Sequence, residues 1–323
     1  MGERLLEVQD LKTHFIRKDS IVKAVDGISF HVDENETLGI VGESGCGKTI
    51  CSLSILRLVP RPGRIVGGKI LLEGKDLLAM NEGEMERVRG RKISMILQDP
   101  MTSLNPVFSI GDQVGEAITI HTKLKRAGLI SRVIEMLKLV KIPSPETRIS
   151  AYPHQMSGGM KQRVVGAIGI SCQPRLLIAD EPTTSLDVTI QAQYLDLLKE
   201  IQRQFALALI FITHDFGIVA HMCDRVVVMY AGQIVESAPV RDIFNRPAHF
   251  YTASLLKAVP KIETKVDKLV SISGQPPRLD NLPEGCRFSP RCPRSDDQCI
   301  RNIPPLLAVD ETRHVRCWHR IVN

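Results

Sequence analysis

Apolar and polar positions alternate at Leu5 to Val8 and at Ile28 to Val32, which predicts two half-buried strands. Glu36 to Val41 closes on the apolar run Leu38-Gly39-Ile40-Val41 and leads straight into a glycine-rich turn. Beyond the turn, Ile50 to Leu58 carries apolar residues at helical spacing until Pro60-Arg61-Pro62-Gly63 stops the helix. Leu176 to Asp180 and Leu209 to Thr213 are leucine-rich or β-branched runs that end in a polar residue, as parallel strands buried on both faces do. The stretch from about residue 100 to 172 reads as mostly helical, so a helical insertion is placed there. Strand, glycine loop and helix in this order predict an α/β domain.

The texture changes beyond Val259. Lys261 to Lys268 is charged, and Pro276, Pro277, Pro283, Pro290, Pro293, Pro304 and Pro305 crowd the next segment. A tail of this size and irregularity has little core of its own and needs a staple, either a metal or a neighbouring domain. The whole chain of 323 residues is 43% apolar, 24% charged and 4% aromatic, a globular mixture that excludes disordered, collagenous and coiled-coil classes. The net charge of +6 permits contact with phosphate without demanding it. The longest apolar run, Phe205 to Ile212, falls well short of the roughly 20 residues that a membrane-crossing helix needs. The first residues show no signal-peptide pattern, and Leu6 stands where a myristoylation signal wants Ser or Thr, so a cytosolic location is expected. The 8 cysteines are then expected as buried thiols or metal ligands rather than disulfides.

Gly42-Glu43-Ser44-Gly45-Cys46-Gly47-Lys48-Thr49 fits G-x-x-x-x-G-K-[ST] and lies between the predicted strand and helix, the context that gives the motif its meaning. Glycines let backbone N–H groups converge on phosphate oxygens at the helix start. Lys48 is expected to reach the outer phosphates, and the Thr49 hydroxyl to bind Mg²⁺. Downstream, Asp180-Glu181 ends an apolar strand with two carboxylates, Asp180 for the Mg²⁺ shell and Glu181 as general base beside the attacking water.

Met156-Ser157-Gly158-Gly159-Met160-Lys161-Gln162-Arg163 is a further helix start with flexible glycines, and in this order and spacing it resembles the signature of ABC-type ATPases. The resemblance implies an ABC-type P-loop fold: a RecA-like core with an antiparallel β subdomain, an inserted helical subdomain, and a small metal-stapled extension. The corresponding boundaries are 1–98 and 173–259 for the core, 99–172 for the helical subdomain and 260–323 for the extension. It also implies site residues. Gln98 resembles the glutamine that touches Mg²⁺ and the lytic water, Asp187 belongs to the loop that crosses to the opposite subunit, and His214 resembles the switch histidine at the γ-phosphate. ATP would be held by Gly42 through Thr49, by Ile50, and by Ser157, Gly158 and Gly159 of the facing subunit. Phe15 aligns with the aromatic that stacks on adenine, with a core phenylalanine at a strand end as the alternative.

Gln98-Asp99-Pro100-Met101-Thr102-Ser103-Leu104-Asn105-Pro106 and Glu181 to Gln193 are similar to stretches typical of ATP-binding subunits of dipeptide and oligopeptide permeases. That likeness implies head-to-tail pairing with a second, different ATPase subunit and docking beneath two membrane permeases on the cytoplasmic face, served by an extracytoplasmic peptide-binding protein. Nickel or another small solute is the alternative cargo. A soluble ABC ATPase acting on ribosomes or DNA is the alternative class; its translation members usually hold two motif sets and its repair members a long coiled coil, and this chain has one set and no heptad run. Cys46 replaces a commoner Ser, Phe250 stands where relatives often have Pro, and Gly166 and Gly169 interrupt the helix after the signature, so that helix is expected to be soft.

Cys286-x5-Cys292-x6-Cys299-x17-Cys317 places four thiols in the proline-rich tail. Four thiolates suit tetrahedral Zn²⁺ or an iron–sulfur cluster, and the spacing does not choose between them. The family resemblance implies a 4Fe–4S cluster with a structural role; free buried cysteines are the alternative, and His314 or His319 can stand in for a cysteine. The nearly balanced charge of the tail argues against a nucleic-acid arm.

Overall fold

A computed structural model describes residues 3–259 and 271–322. The domain boundary at residue 260 and the charged stretch Lys261 to Lys268 lie outside the described residues. Among the described residues twelve strands run in chain order: β1 (Arg4–Ile16), β2 (Ile21–Asp33), β3 (Thr37–Val41), β4 (Gly63–Leu72), β5 (Lys75–Asp76), β6 (Ile93–Ile96), β7 (Leu176–Asp180), β8 (Ala208–Thr213), β9 (Arg225–Tyr230), β10 (Gln233–Pro239), β11 (Leu307–Ala308) and β12 (His314–Val315). The chain divides into two compact units. One takes in Asp33–Glu36 and Ala79–Phe211, the other Leu6–Val32, Thr37–Leu78 and the chain from Ile212 onward. Among the described residues no helix is long and apolar enough to cross a membrane.

The first unit contains the apolar run Leu176 to Asp180 and the beginning of the run Leu209 to Thr213. All residues of β7 and β8 are buried. β6 pairs in parallel with β7 from Ile93 opposite Leu176 to Ile96 opposite Ala179. The predicted helical stretch becomes the helices Ile110–His121, Arg126–Leu139 and Gly158–Ile170, with shorter turns between. Ser109 starts the first of these through a reciprocal cap: its hydroxyl accepts the Asp112 N–H at 3.1 Å while the Asp112 carboxylate accepts the Ser109 N–H at 3.3 Å. In the helix Gly158–Ile170 both interior glycines have close neighbours. A Cβ on Gly166 would lie 3.0 Å from the Tyr194 hydroxyl, and one on Gly169 would lie 3.2 Å from Ile96 Cγ1. Tyr194 is fully buried, so the glycines admit close neighbours.

The second unit holds an antiparallel sheet in the order β2-β1-β4-β5 and strands in the order β11-β12-β10-β9-β3. β3 runs parallel to β9, and β9 turns back antiparallel into β10. The turn uses Ala231 at φ 44° and Gly232 at φ 82°, the left-handed pair that a tight hairpin requires. The proline-rich tail forms short elements only, as its sequence predicts. Its staple includes the neighbouring core: β12 pairs with β10, and Phe288, 1% exposed, packs with Tyr230 and Tyr251 at ring-centroid distances of 5.3 and 5.4 Å. Burial of such a ring contributes about 2 kcal/mol.

The Gly166 contact has a direct test. Gly166→Leu drives a side chain into Tyr194, and the expected cost is about 2 kcal/mol of unfolding free energy in a urea titration; an unchanged midpoint would remove the packing explanation.

Candidate nucleotide site and cysteine cavity

The phosphate loop joins β3 to the helix Lys48–Ile55 within the second unit. Its turn leaves no room for side chains at two points: a Cβ on Gly42 would lie 2.2 Å from the Met229 carbonyl oxygen, and one on Gly47, at φ 106°, would lie 2.1 Å from that of Ala24. Gly47 is also the residue that caps the helix, so its left-handed backbone aims the first helical N–H groups into the loop. Lys48 is 5% exposed, and its ammonium donates to the Gly42 carbonyl at 2.7 Å and the Glu43 carbonyl at 3.1 Å. A phosphate entering the loop competes for the same ammonium. Ser44, Gly45 and Thr49 are exposed, Ile50 is half-buried, and Cys46 is buried, which pushes its thiol pKa up.

Glu43 has partners that its sequence neighbourhood does not announce. Its N–H donates to the Tyr251 hydroxyl at 2.9 Å, and its carboxylate takes both terminal nitrogens of Arg291, at 2.7 and 3.0 Å. His214 follows β8 at the surface, and the next residue, Asp215, caps the helix Phe216–Met222 by accepting the Gly217 N–H at 2.7 Å. Phe15 is half-buried at the end of β1, opposite Gly63 of β4, where a Cβ would lie 2.9 Å from its ring.

The other motif residues belong to the first unit. Gln98 is exposed just after β6, and its amide donates to the Glu181 carboxylate at 3.1 Å. Asp180 ends β7 at 2% exposure. Glu181 turns away from the strand at φ 45°, a left-handed conformation that costs a non-glycine residue on the order of 1 kcal/mol and is held in functional turns. Thr184 also donates to its carboxylate, at 3.2 Å. Ser157 caps the helix Gly158–Ile170 by accepting the Met160 N–H at 3.3 Å. Gly158 is exposed with open space around it, whereas Gly159 has Ile190 Cγ2 only 2.6 Å from where a Cβ would sit. Asp187, read as a subunit-crossing residue, caps the helix Val188–Phe205 through the Ile190 N–H at 3.0 Å. The signature helix and the helix after Asp187 thus begin side by side.

Cys286, Cys292, Cys299 and Cys317 line one cavity together with His249, Phe288, Trp318 and His319. His319 therefore stays with the cysteines; His314 lies in β12 and is not among the lining residues. Burial pushes all four thiol pKa values up, that of Cys317 to about 11. Any metal must displace these protons, so uptake strengthens as pH rises. His249, on the same wall, is fully enclosed, and burial pulls its pKa down to about 3 from 6.5. Its Nδ1 accepts the Tyr251 N–H at 3.0 Å and so caps the helix Phe250–Ala258 as a neutral ring.

A phosphate loop, an acidic strand end and a Ser-Gly-Gly helix start, carried on parallel α/β strands, define an ATP-binding cassette. The family model "ABC transporter" matches residues 25–184, and "Oligopeptide/dipeptide transporter, C-terminal region" matches residues 235–299. The oligopeptide transport ATP-binding protein AppD of Bacillus subtilis is 50% identical over 97% of this chain and 96% of its own. The dipeptide transport ATP-binding protein DppD of Haemophilus influenzae is 47% identical over 97% and 94%. Among solved structures, the dimeric ATP-binding cassette MJ0796 bound to ADP and Pi shares the fold at TM-score 0.66 and 21% identity, covering 73% of this chain and 99% of its own. The chain belongs to the ATP-binding proteins of ABC transporters, in the branch marked by the oligopeptide/dipeptide C-terminal region, and is an ATPase that uses ATP and Mg²⁺.

The neutral His249 gives a pH signature. Between pH 6.5 and about 3 the unfolded chain binds a proton that the folded chain refuses, so stability falls as pH falls, by up to about 1.4 kcal/mol per unit. His249→Asn keeps a side-chain acceptor for the cap, and the expected result is a flatter urea-midpoint profile across that window; a profile parallel to the wild type would contradict the assignment.

Proposed function

We propose that this chain is the ATP-hydrolysing subunit of an importer for dipeptides or oligopeptides, acting at the cytoplasmic face of the membrane. The observation that carries the reading is the union, in one compact unit, of the phosphate loop and the C-terminal region that marks oligopeptide and dipeptide transporters. In this reading residues 1–98 and 173–259 form the ATP-binding core, 99–172 the helical signature subdomain and 260–323 the extension. The chain pairs head to tail with a second, different ATPase subunit beneath two permeases, supplied by an extracytoplasmic peptide-binding protein.

Lys48 and the loop N–H groups of Gly42 through Thr49 bind the phosphates, with Ile50 behind them and Phe15 against the adenine. Thr49, Gln98 and Asp180 would hold Mg²⁺, which when bound would neutralise charge on the outer phosphates. Asp180, buried at a strand end, and the exposed Thr49 hydroxyl supply the oxygen donors this ion prefers. Glu181 orients and deprotonates the attacking water, and the 3.1 Å bond from Gln98 holds its carboxylate. His214 contacts the γ-phosphate. Ser157, Gly158 and Gly159 grip the γ-phosphate on the facing subunit, for which the open surroundings of Gly158 leave space, and Asp187 orders the loop that crosses to it. ATP closes the pair and drives the permeases outward-facing, and hydrolysis resets them.

Glu181→Gln removes the base and leaves the phosphate loop intact. In vesicles that contain the permeases, we expect ATP turnover and ATP-driven dipeptide uptake to fall by at least about 100-fold with ATP binding retained. Turnover at the wild-type rate would sink the assignment of the base, and uptake of Ni²⁺ in place of peptide would sink the cargo.

For the tail we infer a 4Fe–4S cluster held by Cys286, Cys292, Cys299 and Cys317, where it cross-links a segment poor in regular structure. A zinc ion bound at about 2.3 Å would bring its sulfurs within about 3.8 Å of one another. Among the described residues, the one set of three donors within 4.8 Å of each other is Asp296, Cys299 and His319. The four cysteines line one cavity, which supports a group held by all four, while the Asp296 set supports a competing zinc reading. Metal and sulfide analysis after anaerobic purification separates them: about four irons and four sulfides per chain, lost in Cys286→Ser, is expected, and zinc without sulfide would contradict the cluster.

A further inference from the structure

Glu43 places a carboxylate in the second position of a loop built to receive an anion. Left bare, that charge would oppose phosphates bound to the same loop. Arg291 meets it as a fork, through bonds of 2.7 and 3.0 Å. The arginine is held in place on every side: its Nε donates to the Ser273 carbonyl at 3.0 Å, its Nη1 also reaches the Tyr230 hydroxyl at 3.3 Å, and its guanidinium lies 5.8 Å from the Tyr230 ring centroid and 6.0 Å from that of Phe288. Its side chain is 3% exposed and that of Glu43 27%. A pair so enclosed is screened far less by salt than a surface pair. Anchoring alone does not require this chemistry, because a well-packed apolar pair in such a place holds two segments together as firmly.

We propose that Arg291, in the C-terminal tail, is a positioning residue for the nucleotide site: it masks the Glu43 carboxylate from the bound phosphates, so that the tail sets the affinity of the phosphate loop. The proposal rests on the reading of Gly42 to Thr49 as the ATP phosphate site. Removing the mask without its target, and then both, separates a charge effect from loss of an anchor.

The test is calorimetric titration of the full chain with MgADP, with melting temperature and tail metal content as controls. Arg291→Ala is expected to weaken MgADP binding by about tenfold, and the difference from wild type is expected to shrink as salt is raised. Glu43→Gln alone sets the reference for a loop without that charge, and Arg291→Ala/Glu43→Gln should bind as Glu43→Gln does, because the charge that needed masking is gone. Should Arg291→Ala unfold, the comparison moves to Arg291→Gln with the same rescue by Glu43→Gln. Binding by the arginine variant equal to wild type, or a double variant as weak as that arginine variant, overturns the proposal while leaving the phosphate site in place. A wild-type chain that binds no MgADP overturns both.

Discussion

The turn between β3 and the helix Lys48–Ile55 must bring backbone N–H groups around an anion, and it can do so only where no side chain stands in the way. Neighbouring carbonyls of Met229 and Ala24 come so close that a single methyl at Gly42 or Gly47 would overlap them. Those carbonyls belong to β9 and β2, so the loop's shape is imposed by the strands around it. The hairpin turn after β9 continues the support: the Gly232 N–H donates to the Cys46 carbonyl at 2.9 Å, and the Asp26 N–H donates to the Gly232 carbonyl at 2.8 Å. The loop's backbone is thereby held in shape by its neighbours, the kind of preorganisation on which charge stabilisation rests.

The tail extends that support. Between Cys286 and Cys292, Arg287 pairs with Asp26 and donates to the Ala231 carbonyl, Phe288 fills the space between Tyr230 and Tyr251, and Arg291 grips Glu43. Tyr251 in turn accepts the Glu43 N–H. A segment with almost no regular structure thereby contributes to both the core and the phosphate loop. The two ends of this short stretch line a shared cysteine cavity, and the proposed cross-link there would limit how far its three anchoring side chains can move.

Much of this was legible in the chain. The runs Leu176 to Asp180 and Leu209 to Thr213 read as doubly buried strands because burial on both faces leaves a continuous apolar signature, and the phosphate loop read as such because its chemistry is local. Glu181 is legible as a carboxylate at the end of an apolar strand and Gln98 through the family resemblance, and the structure adds that their side chains meet. What could not be read is long-range. Glu43 and Arg291 lie 248 positions apart, and neither neighbourhood carries a pattern that points to the other. The surroundings of Gly166 are long-range too: local propensity makes it a weak point in a helix, and only the position of Tyr194 shows what a larger residue there would meet. The pairing of β12 with β10 was likewise hidden, because two-residue strands leave no periodicity to detect.

Amide hydrogen exchange of the full chain, with and without MgATP, tests most directly the claim that the phosphate loop and the tail form one supported structure. The account predicts that nucleotide slows exchange across residues 42–49 and, over the same range of concentrations, across residues 286–292. Protection of the loop with unchanged exchange in the tail would contradict it.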